Sequence, residues 1–481
     1  MKMITHFADL TEIGTCLANS LVCNDPLNSA KKVSYLIDRA ASSSKVSIKF
    51  KDIQDLNRWE VSRQDISHET GKFFQIVGID VACPELNLSW QQPIIYQPEI
   101  GILGLLCTKI RNTLYFLVQL KVEPGNINYI QLSPTIQATR SNFLAAHGGK
   151  SVPFLNYFRF PGQQESCKIL VDQLQSEQGS RFLAKRNRNI ITYVENFDSD
   201  KIPENFVWLT LSQIKGFCLQ DNCVNMDLRT IVSCINYCDF MEGCESLSEI
   251  MPNSRNADAL RFYFSCYKPN DSERKILLSH LSTLKSEHSL FVSKIPISET
   301  DKWELVNGKL SHRDSLYFDV LGVNISLMGR EVKDWDQPLV APCSVGENVL
   351  FIKKTADSLL CLVQFKLECG TKDIIEIAPT IQTSSQNKKS PVEQYLYDMY
   401  HATMLEKTSI ICSTLQSEEG GRFYREENKN IVLDVAGKDI ALSSSYYMWI
   451  SIGTLSDLLR YNNFVNIQLR SLLSLLQPSM L

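Results

Sequence analysis

Hydrophobic and polar residues alternate most regularly from Leu117, where the chain reads LVQLKVE. A period of two predicts a strand with Gln119, Lys121 and Glu123 on one face and apolar residues on the other. The sequence EPGN follows, with Pro and Gly in a pattern typical of a turn. The chain then reads IQLSPTIQATR, which predicts a returning strand and a hairpin with one polar face. The polar positions in phase on the returning strand are Gln131, Ser133, Thr135, Gln137 and Thr139.

This segment occurs a second time, because Gln364, Lys366 and Glu368 repeat the polar residues of the first strand. LQSEEGGRFYREENKN, which begins at Leu415, likewise repeats LQSEQGSRFLAKRNRN, which begins at Leu174. The order of the blocks is constant and indicates a tandem duplication with units of roughly 240 residues.

The predicted units are 1–247 and 256–481, with a polar boundary near residues 248–258. Apolar spacing also predicts a helix over 163–175 and leucine-rich helical tails in each unit. Because strands and helices mix without a regular βαβ order, the predicted class is α+β. The predicted tails are residues 208–235 and 449–476.

Composition narrows the possible roles of the chain. It has 481 residues, 44% of them hydrophobic, and a formal net charge of -4. This balance gives no support to a nucleic-acid or membrane-surface role. The 15 cysteines are scattered without a CxxC pair, the start lacks an apolar signal region, and no run of 18 apolar residues occurs. We therefore expect a cytoplasmic protein with reduced thiols and without nucleic-acid or membrane partners.

Lys121 and Glu123 are the first candidates for chemistry. Two positions apart on a strand, a lysine and a carboxylate lie side by side, and each favours the charged form of the other. Such a pair can remove a proton and stabilise the anion that results. A solvated strand face is the alternative, although the same residue types recur in the second repeat.

Basic residues of the first repeat suit an anionic ligand. Arg140, within QATRSN at 137–142, is flanked by hydroxyl and amide residues suited to phosphate oxygens or a sugar. RNRN at 186–189 is also basic, whereas the second repeat has ENKN there and lacks the arginine after TIQ. Turns with capping residues are the alternative. We predict that the first repeat holds the working site and that the second is a reduced copy.

His68 and Glu99 are candidate acids. His68 in SHET matches His312 in SHRD of the second repeat, although a lone histidine is more often structural. Glu99 in QPEIG has no clear equivalent. No GxGxxG, P-loop or HExxH motif occurs, so neither a cofactor nor a metal site is predicted.

Several motifs together resemble those of the NDP-hexose 2,3-dehydratases of deoxysugar biosynthesis. They are QPIIYQPEIGILG, QLKVEPGN, QLSPTIQATRSN, LQSEQGSRF, KRNRN and DNCVNMDLRTIVSC. The resemblance covers nearly the whole chain and includes the duplication. It implies an enzyme that removes the C2 hydroxyl of dTDP-4-keto-6-deoxy-D-glucose to give a 3,4-diketo-2,6-dideoxyhexose. It also implies two Nudix-like mixed-sheet domains with flanking helices, a homodimer, and a downstream NAD(P)H ketoreductase that takes the unstable product.

The chain departs from Nudix hydrolases because their metal-binding box is missing. Without it, the carboxylate cluster that holds Mg²⁺ for pyrophosphate cleavage is lost, which agrees with a dehydratase that leaves the diphosphate intact. A nucleotide-sugar pyrophosphohydrolase and a non-catalytic nucleotide-sugar-binding protein are the alternatives.

The chemistry of a 4-keto sugar assigns roles to the candidates. A base removes the acidified C3 proton, a cation stabilises the enolate, and an acid helps the C2 hydroxyl to leave. We predict Glu123 as the base, Lys121 as the enolate stabiliser, and Glu99 or His68 as the acid. The predicted substrate-binding residues are Gln97, Gln119, Gln131, Thr135, Gln137, Thr139, Arg140, Ser141, Asn142, Arg181, Arg186 and Arg188. The residues predicted for the second pocket are Lys366, Glu368, Thr380, Gln382 and Arg422.

Overall fold

A computed structural model describes residues 10–140, 152–163, 166–198, 202–241, 255–327, 333–384 and 389–480. Its helices are α1 (Leu10–Val22), α2 (Ala30–Ser43), α3 (Asn156–Arg159), α4 (Leu211–Cys218), α5 (Met226–Ser233), α6 (Arg255–Cys266), α7 (Asp271–Glu287), α8 (Pro391–Met404), α9 (Ile452–Leu458) and α10 (Ile467–Leu475). None of these helices is long and apolar enough to cross a membrane.

Strands fill most of the rest of each repeat. Those of the first repeat are β1 (Val46–Lys51), β2 (Trp59–Val61), β3 (Asp65–His68), β4 (Gln75–Cys83), β5 (Leu88–Tyr96), β6 (Gly101–Ile110), β7 (Thr113–Val122), β8 (Ile130–Ser133), β9 (Ile136–Ala138), β10 (Cys167–Ser176), β11 (Arg186–Val194) and β12 (Phe206–Thr210). Those of the second are β13 (Phe291–Ile295), β14 (Trp303–Val306), β15 (Lys309–His312), β16 (Phe318–Leu327), β17 (Asp334–Pro342), β18 (Gly346–Lys354), β19 (Leu359–Leu367), β20 (Ile375–Ala378), β21 (Ile381–Ser384), β22 (Ile410–Ser417), β23 (Glu427–Asp434) and β24 (Tyr447–Ser451).

Each repeat contributes one large mixed sheet and most of one small sheet. The large sheets have the matching orders β10-β11-β6-β7-β12 and β22-β23-β18-β19-β24. In each of them one pair is parallel, β6 with β11 and β18 with β23. The mixed α/β architecture and the duplication are therefore both present.

The repeats exchange one strand each between their small sheets. β1 of the first repeat pairs antiparallel with β16 of the second, and β13 of the second pairs antiparallel with β4 of the first. Each repeat thus has its own small sheet, but a strand from the other repeat completes it. The predicted boundary falls largely on residues 242–254, which lie outside the described residues.

The largest apolar core joins the two repeats, with buried residues from both large sheets and from α5 and α10. Two fully buried arginines cross this core. Arg229 donates to the backbone oxygens of Val224 at 2.6 Å and Ser417 at 2.9 Å, the second of which belongs to the other repeat. Arg470 makes the mirror-image contact with the Ser176 backbone oxygen. Because a buried guanidinium must have its donors satisfied, these bonds fix how the repeats pack.

Two sequence predictions of local structure are wrong. The helix predicted over 163–175 is strand β10, in which alternate residues (Cys167, Ile169 and Val171) are buried, a period of two rather than 3.6. The returning strand is also not continuous, because β8 pairs with β7 whereas β9 pairs with β6. Pro134 lies between β8 and β9 and cannot donate a ladder hydrogen bond there.

Glu376 on β20 generates a prediction about stability. Its side chain is buried, accepts a hydrogen bond from Ser176 Oγ at 2.7 Å, and has its pKa raised by burial from 4.5 to about 7. The matching residue of the first repeat is Gln131, which donates to Ser417 Oγ. A raised folded-state pKa gives stability below pH 4.5 that is lost as the pH rises to about 7.

We therefore expect Glu376→Gln to match the wild type near pH 4.5 and to be more stable at pH 8, by on the order of 1–3 kcal/mol. Urea unfolding between pH 4.5 and 8.5 measures this difference. A variant whose stability falls with pH as steeply as that of the wild type would contradict the assignment.

Candidate active site

Glu123, the first residue after β7, is the centre of a polar cluster in the first repeat. Its Oε1 atom accepts hydrogen bonds from Lys121 Nζ at 2.9 Å and from Gln137 Nε2 at 3.1 Å. Only 5% of the Glu123 side chain is exposed, against 19% for Lys121. Asn225, the N-cap of α5, donates to Gln137 Oε1 at 3.3 Å. The structure thus holds a lysine against a carboxylate in a site largely shielded from solvent.

Three further carboxylates lie near this pair. Asp227 stands in the first turn of α5, Glu177 follows β10, and Glu419 comes from the second repeat. Burial raises the pKa of each, to about 7 for Glu177 and well above the ordinary range for Asp227. The negative charge of Glu123 raises the pKa of both Asp227 and Glu419 further. A site of this kind stores protons on carboxyl groups at neutral pH.

Two cations balance these acids. Lys185 Nζ donates to the Glu99 backbone oxygen at 2.5 Å, and burial lowers its pKa although Glu177 and Glu419 oppose that shift. Arg422 donates through Nε to Gln97 Oε1 at 3.3 Å. Gln97 in turn donates to Glu99 Oε1 at 2.9 Å. We call the whole group the first cluster: Gln97, Glu99, Lys121, Glu123, Gln137, Glu177, Lys185, Asn225, Asp227, Glu419 and Arg422.

The first cluster is built from both repeats. The loop at 418–426 of the second repeat, between β22 and β23, delivers Glu419 and Arg422. It is anchored to the turn after Glu123, where Gly125 N donates to the Gly420 backbone oxygen at 2.8 Å and Arg425 N donates to the Gly125 oxygen at 2.7 Å. The equivalent loop of the first repeat, residues 177–185, reaches the second repeat in the same way.

A second cluster has the same frame in the second repeat. Gln382 Nε2 donates to Glu368 Oε1 at 3.0 Å, and Asn466 donates to Gln382 Oε1 at 2.7 Å. Gly370 N donates to the Gly179 backbone oxygen at 2.6 Å, which anchors the 177–185 loop.

The two clusters differ in their ionisable groups. In the second cluster, amides replace two acids: Gln178 stands at the position of Glu419, and Gln468 at that of Asp227. Glu426 stands at the position of Lys185, and Ser344 at that of Glu99. Lys366 contacts the Gln382 backbone oxygen at 3.3 Å, whereas its counterpart in the first cluster donates directly to a carboxylate. The second cluster keeps buried acids of its own, because burial raises the pKa of Glu368 and raises that of Glu426 to about 7. The two clusters therefore differ in which positions carry ionisable groups.

Two predicted arginines belong to the opposite site. Arg181, predicted for the first repeat, lies 3.8 Å from the Glu426 carboxylate and packs over the Phe318 ring at 4.5 Å. Arg422, predicted for the second pocket, contacts Gln97 of the first cluster. The prediction assumed that each repeat completes its own site, and the crossing loops make that assumption wrong.

Several other predicted binding residues have contacts that serve the fold. Thr135 Oγ1 accepts from Leu106 N at 2.9 Å and donates to the Leu117 oxygen at 2.5 Å, which ties two strands together. Thr380 makes the same pair of bonds in the second repeat. Gln131 contacts Ser417 between the repeats. The two threonines are structural because their hydroxyl groups are used within the sheets. Gln131 links the repeats, although its buried Oε1 atom has no hydrogen-bond partner among the described residues.

The predicted cations and their neighbours are dispersed. Arg188 forms two hydrogen bonds with the Asp172 carboxylate, at 2.7 and 2.6 Å, so its charge is already balanced. Arg186 is half-buried at the start of β11, and Arg140 is exposed just after β9. Thr139 and Gln119 are half-buried. Ser141 and Asn142 lie outside the described residues.

His68 lies in an aromatic group on the small sheet. Its ring packs edge-on against Trp59 and Phe73, and its Nδ1 atom is 2.9 Å from Thr70 Oγ1. His312 has the same edge-on contact with Trp303 in the second repeat. Because the same ring packing occurs in both repeats, we interpret His68 as a structural histidine.

The sequence analysis missed Glu177, Lys185, Asp227 and Glu419 as members of the site. The sequence did contain a signal for three of them. Lys185, Asp227 and Glu419 are ionisable, and the matching residue of the other repeat has a different charge. The exception, Glu177, is a glutamate in both repeats.

Comparison with known proteins identifies the family of this chain. The chain matches the family model of NDP-hexose 2,3-dehydratase over residues 30–235 and again over 274–476. It belongs to the NDP-hexose 2,3-dehydratase family. The two separate matches agree with the duplication.

Curated relatives of this family member extend along most of its length. A protein of Saccharopolyspora spinosa described as dTDP-4-dehydro-6-deoxy-alpha-D-glucopyranose 2,3-dehydratase is 36% identical over 461 residues, which cover 94% of this chain and 92% of the relative. Proteins with the same description from Amycolatopsis orientalis and Streptomyces violaceoruber are each 34% identical over 430 residues. They cover 87% and 88% of this chain, and the matches cover 84% and 91% of those proteins.

The close approach at Gly125 generates a prediction. A Cβ atom there would lie 1.7 Å from the Phe423 backbone oxygen and 2.6 Å from that of Gly420. Gly125→Ala must therefore push the 418–426 loop away, and we expect it to lower stability by about 1–3 kcal/mol and to reduce turnover. Thermal unfolding and initial rates measure the two effects.

Gly216→Ala is the matched control, because Gly216 lies in α4 with open space around its Cα. It should leave turnover unchanged and raise stability by up to about 1 kcal/mol. Normal stability and turnover in Gly125→Ala would contradict the anchoring role of this turn.

Proposed function

We propose that the protein is a dTDP-4-keto-6-deoxyglucose 2,3-dehydratase. The observation that carries the proposal is the Lys121–Glu123 pair, shielded from solvent and joined at 2.9 Å, in a member of this dehydratase family. The relatives described above, which are named for the same substrate, support the choice of sugar nucleotide.

Glu123 is proposed as the base. The C3 proton is acidic because it lies next to the C4 ketone, and a shielded carboxylate can remove it. Electron density then moves onto O4, and the ammonium group of Lys121 stabilises the enolate without a metal or a redox cofactor. Gln137 fixes the Glu123 carboxylate at 3.1 Å, which leaves the base in one orientation.

Elimination completes the reaction. The enolate collapses, the C2–O bond breaks, and water leaves with a proton from an acid. The resulting enol has a double bond between C2 and C3, and it gains a proton at C2 as its C3 hydroxyl becomes a ketone. The product is the 3,4-diketo-2,6-dideoxy sugar nucleotide, and the change from substrate to product is the loss of one water.

Binding of the nucleotide diphosphate requires cations. We propose Arg140, which is exposed just after β9, and Arg186, which is half-buried at the start of β11, for this role. Each charge-assisted contact contributes about 1.5–3 kcal/mol. Arg188 is less suited because Asp172 already occupies its guanidinium.

The test is the mass of the product. The purified protein is incubated with dTDP-4-keto-6-deoxyglucose and a ketoreductase with NADPH, which traps the unstable diketone. Loss of one water from the sugar nucleotide is the expected result. Release of nucleoside monophosphate and sugar phosphate would instead indicate a pyrophosphohydrolase, and binding of dTDP without turnover would indicate a non-catalytic binding protein.

Glutamate-to-glutamine variants test which cluster works. Glu123→Gln should lower kcat by about 10²- to 10⁴-fold, the usual contribution of a general base. Glu368→Gln makes the same change in the second cluster and should leave kcat unchanged. Both variants need a normal unfolding transition, and a loss of turnover confined to Glu368→Gln would place the working site in the second repeat.

Further expectations come from the family resemblance. We propose that the repeats are Nudix-like domains, with units near 1–247 and 256–481, that the protein forms a homodimer, and that it acts in the cytoplasm beside an NAD(P)H ketoreductase. Sedimentation at micromolar concentration tests the homodimer.

A further inference from the structure

The loops at 177–185 and 418–426 differ at the position of Gln178 and Glu419. The second repeat brings Glu419 to the first cluster, whereas the first repeat brings Gln178 to the second cluster. Gln178 Nε2 donates a hydrogen bond to Glu418 Oε2, and Glu418 Oε1 accepts another from Asn428. Both oxygens of that glutamate therefore have a donor.

The matching glutamate of the first cluster is Glu177, and one of its two carboxylate oxygens has a hydrogen-bond donor. Its Oε1 atom accepts from Asn187 Nδ2 at 2.5 Å, while its buried Oε2 atom has no hydrogen-bond partner within the described part of the chain. The donor that Gln178 supplies in the second cluster is replaced here by Glu419, and a carboxyl group donates only when it holds a proton. Glu419 makes no hydrogen bond to that oxygen, but its negative charge raises the pKa of Glu177. Carboxyl groups that oppose each other's ionisation tend to retain a proton, which a general acid requires.

Glu419 is the least buried of the three acids. It is partly buried, whereas Glu177 and Asp227 are buried. The bond between Gly125 N and the Gly420 oxygen, 2.8 Å long, joins the residues next to Glu419 to the turn that follows Glu123. The loop that carries Glu419 is therefore held beside the turn that follows Glu123, and the charge of Glu123 acts on Glu419.

The acids predicted from the sequence are less suited. Glu99 Oε1 already accepts a hydrogen bond from Gln97, and His68 packs within the aromatic group of the small sheet.

We propose that Glu419, supplied by the second repeat, is the general acid that protonates the departing C2 hydroxyl in the first cluster. This inference rests on the proposed dehydration. The proton moves from the Glu419 carboxyl group to the C2 oxygen as the C2–O bond breaks, and water leaves. Glu419 becomes a carboxylate and regains a proton from solvent before the next turnover. Each repeat would then contribute to one active site, the first with the base and the second with the acid.

Glu419→Gln tests the proposal with little risk to the fold, because glutamine is the residue at the matching position of the second cluster. The reaction is run in D₂O, and two rates are followed: water loss and the entry of deuterium at C3 of unreacted substrate. We expect water loss to fall by about 10²- to 10⁴-fold, while exchange at C3 continues because Glu123 is intact. Glu123→Gln should lose both rates.

The 2-deoxy-2-fluoro analogue of the substrate gives a second measurement. Fluoride leaves with much less need for a proton than hydroxide, so Glu419→Gln should regain most of the wild-type rate of fluoride release. Gln178→Glu is the matched control, and it should leave turnover of the natural substrate unchanged.

The outcomes separate this inference from the proposed function. No water loss by the wild-type protein would overturn the dehydration itself. Normal water loss by Glu419→Gln, or loss of water elimination together with C3 exchange and without rescue by the fluoro analogue, would overturn the role of Glu419 as the acid while leaving the dehydration in place.

Discussion

The backbone contact between Gly125 and Gly420, with its counterpart between Gly370 and Gly179, is the constraint on which this structure depends. In each pair an amide donates directly to a backbone oxygen of the other repeat, at 2.8 and 2.6 Å. A side chain at either turn glycine would collide with the opposing loop. The exchanged strands β1 and β13 also hold the two repeats together, as do the buried arginines Arg229 and Arg470. The two repeats therefore form one folding unit with a shared core, and each polar cluster contains residues from both.

This arrangement concentrates charge where water is largely excluded. Burial is costly for carboxylates, and neighbouring acids increase the cost, so the pKa of Glu177 rises to about 7 and those of Asp227 and Glu419 also rise. The cationic groups of Lys121, Lys185 and Arg422 offset part of that cost. The result is a site that contains both a carboxylate held by a lysine and carboxyl groups that favour the protonated form, which is what an elimination next to a ketone needs.

The two clusters share a hydrogen-bonded frame but differ in their ionisable groups. The second cluster retains the Glu368–Gln382–Asn466 chain of hydrogen bonds. It has amides at 178 and 468 where the first cluster has carboxylic acids, and Gln178 donates a hydrogen bond to Glu418. Both clusters nevertheless bury acids whose pKa is raised, among them Glu368 and Glu426 in the second. The strained electrostatics of the first cluster are consistent with selection for function rather than stability.

The sequence alone determined the duplication, the mixed class, the pairing of Lys121 with Glu123 and the family, because these follow from residue order, local spacing and short motifs. It predicted a helix where the structure has strand β10, and it predicted one returning strand where the structure has two, β8 and β9, on either side of Pro134. It also assigned Arg181 and Arg422 to the wrong sites and left out Glu177, Lys185, Asp227 and Glu419. Those assignments required knowing which loop meets which sheet. Residues about 300 positions apart, such as Gln97 and Arg422, come together only through packing of the whole chain. Only the tertiary structure could decide this, because a repeat in sequence carries no information about whether its copies complete their own sites or each other's.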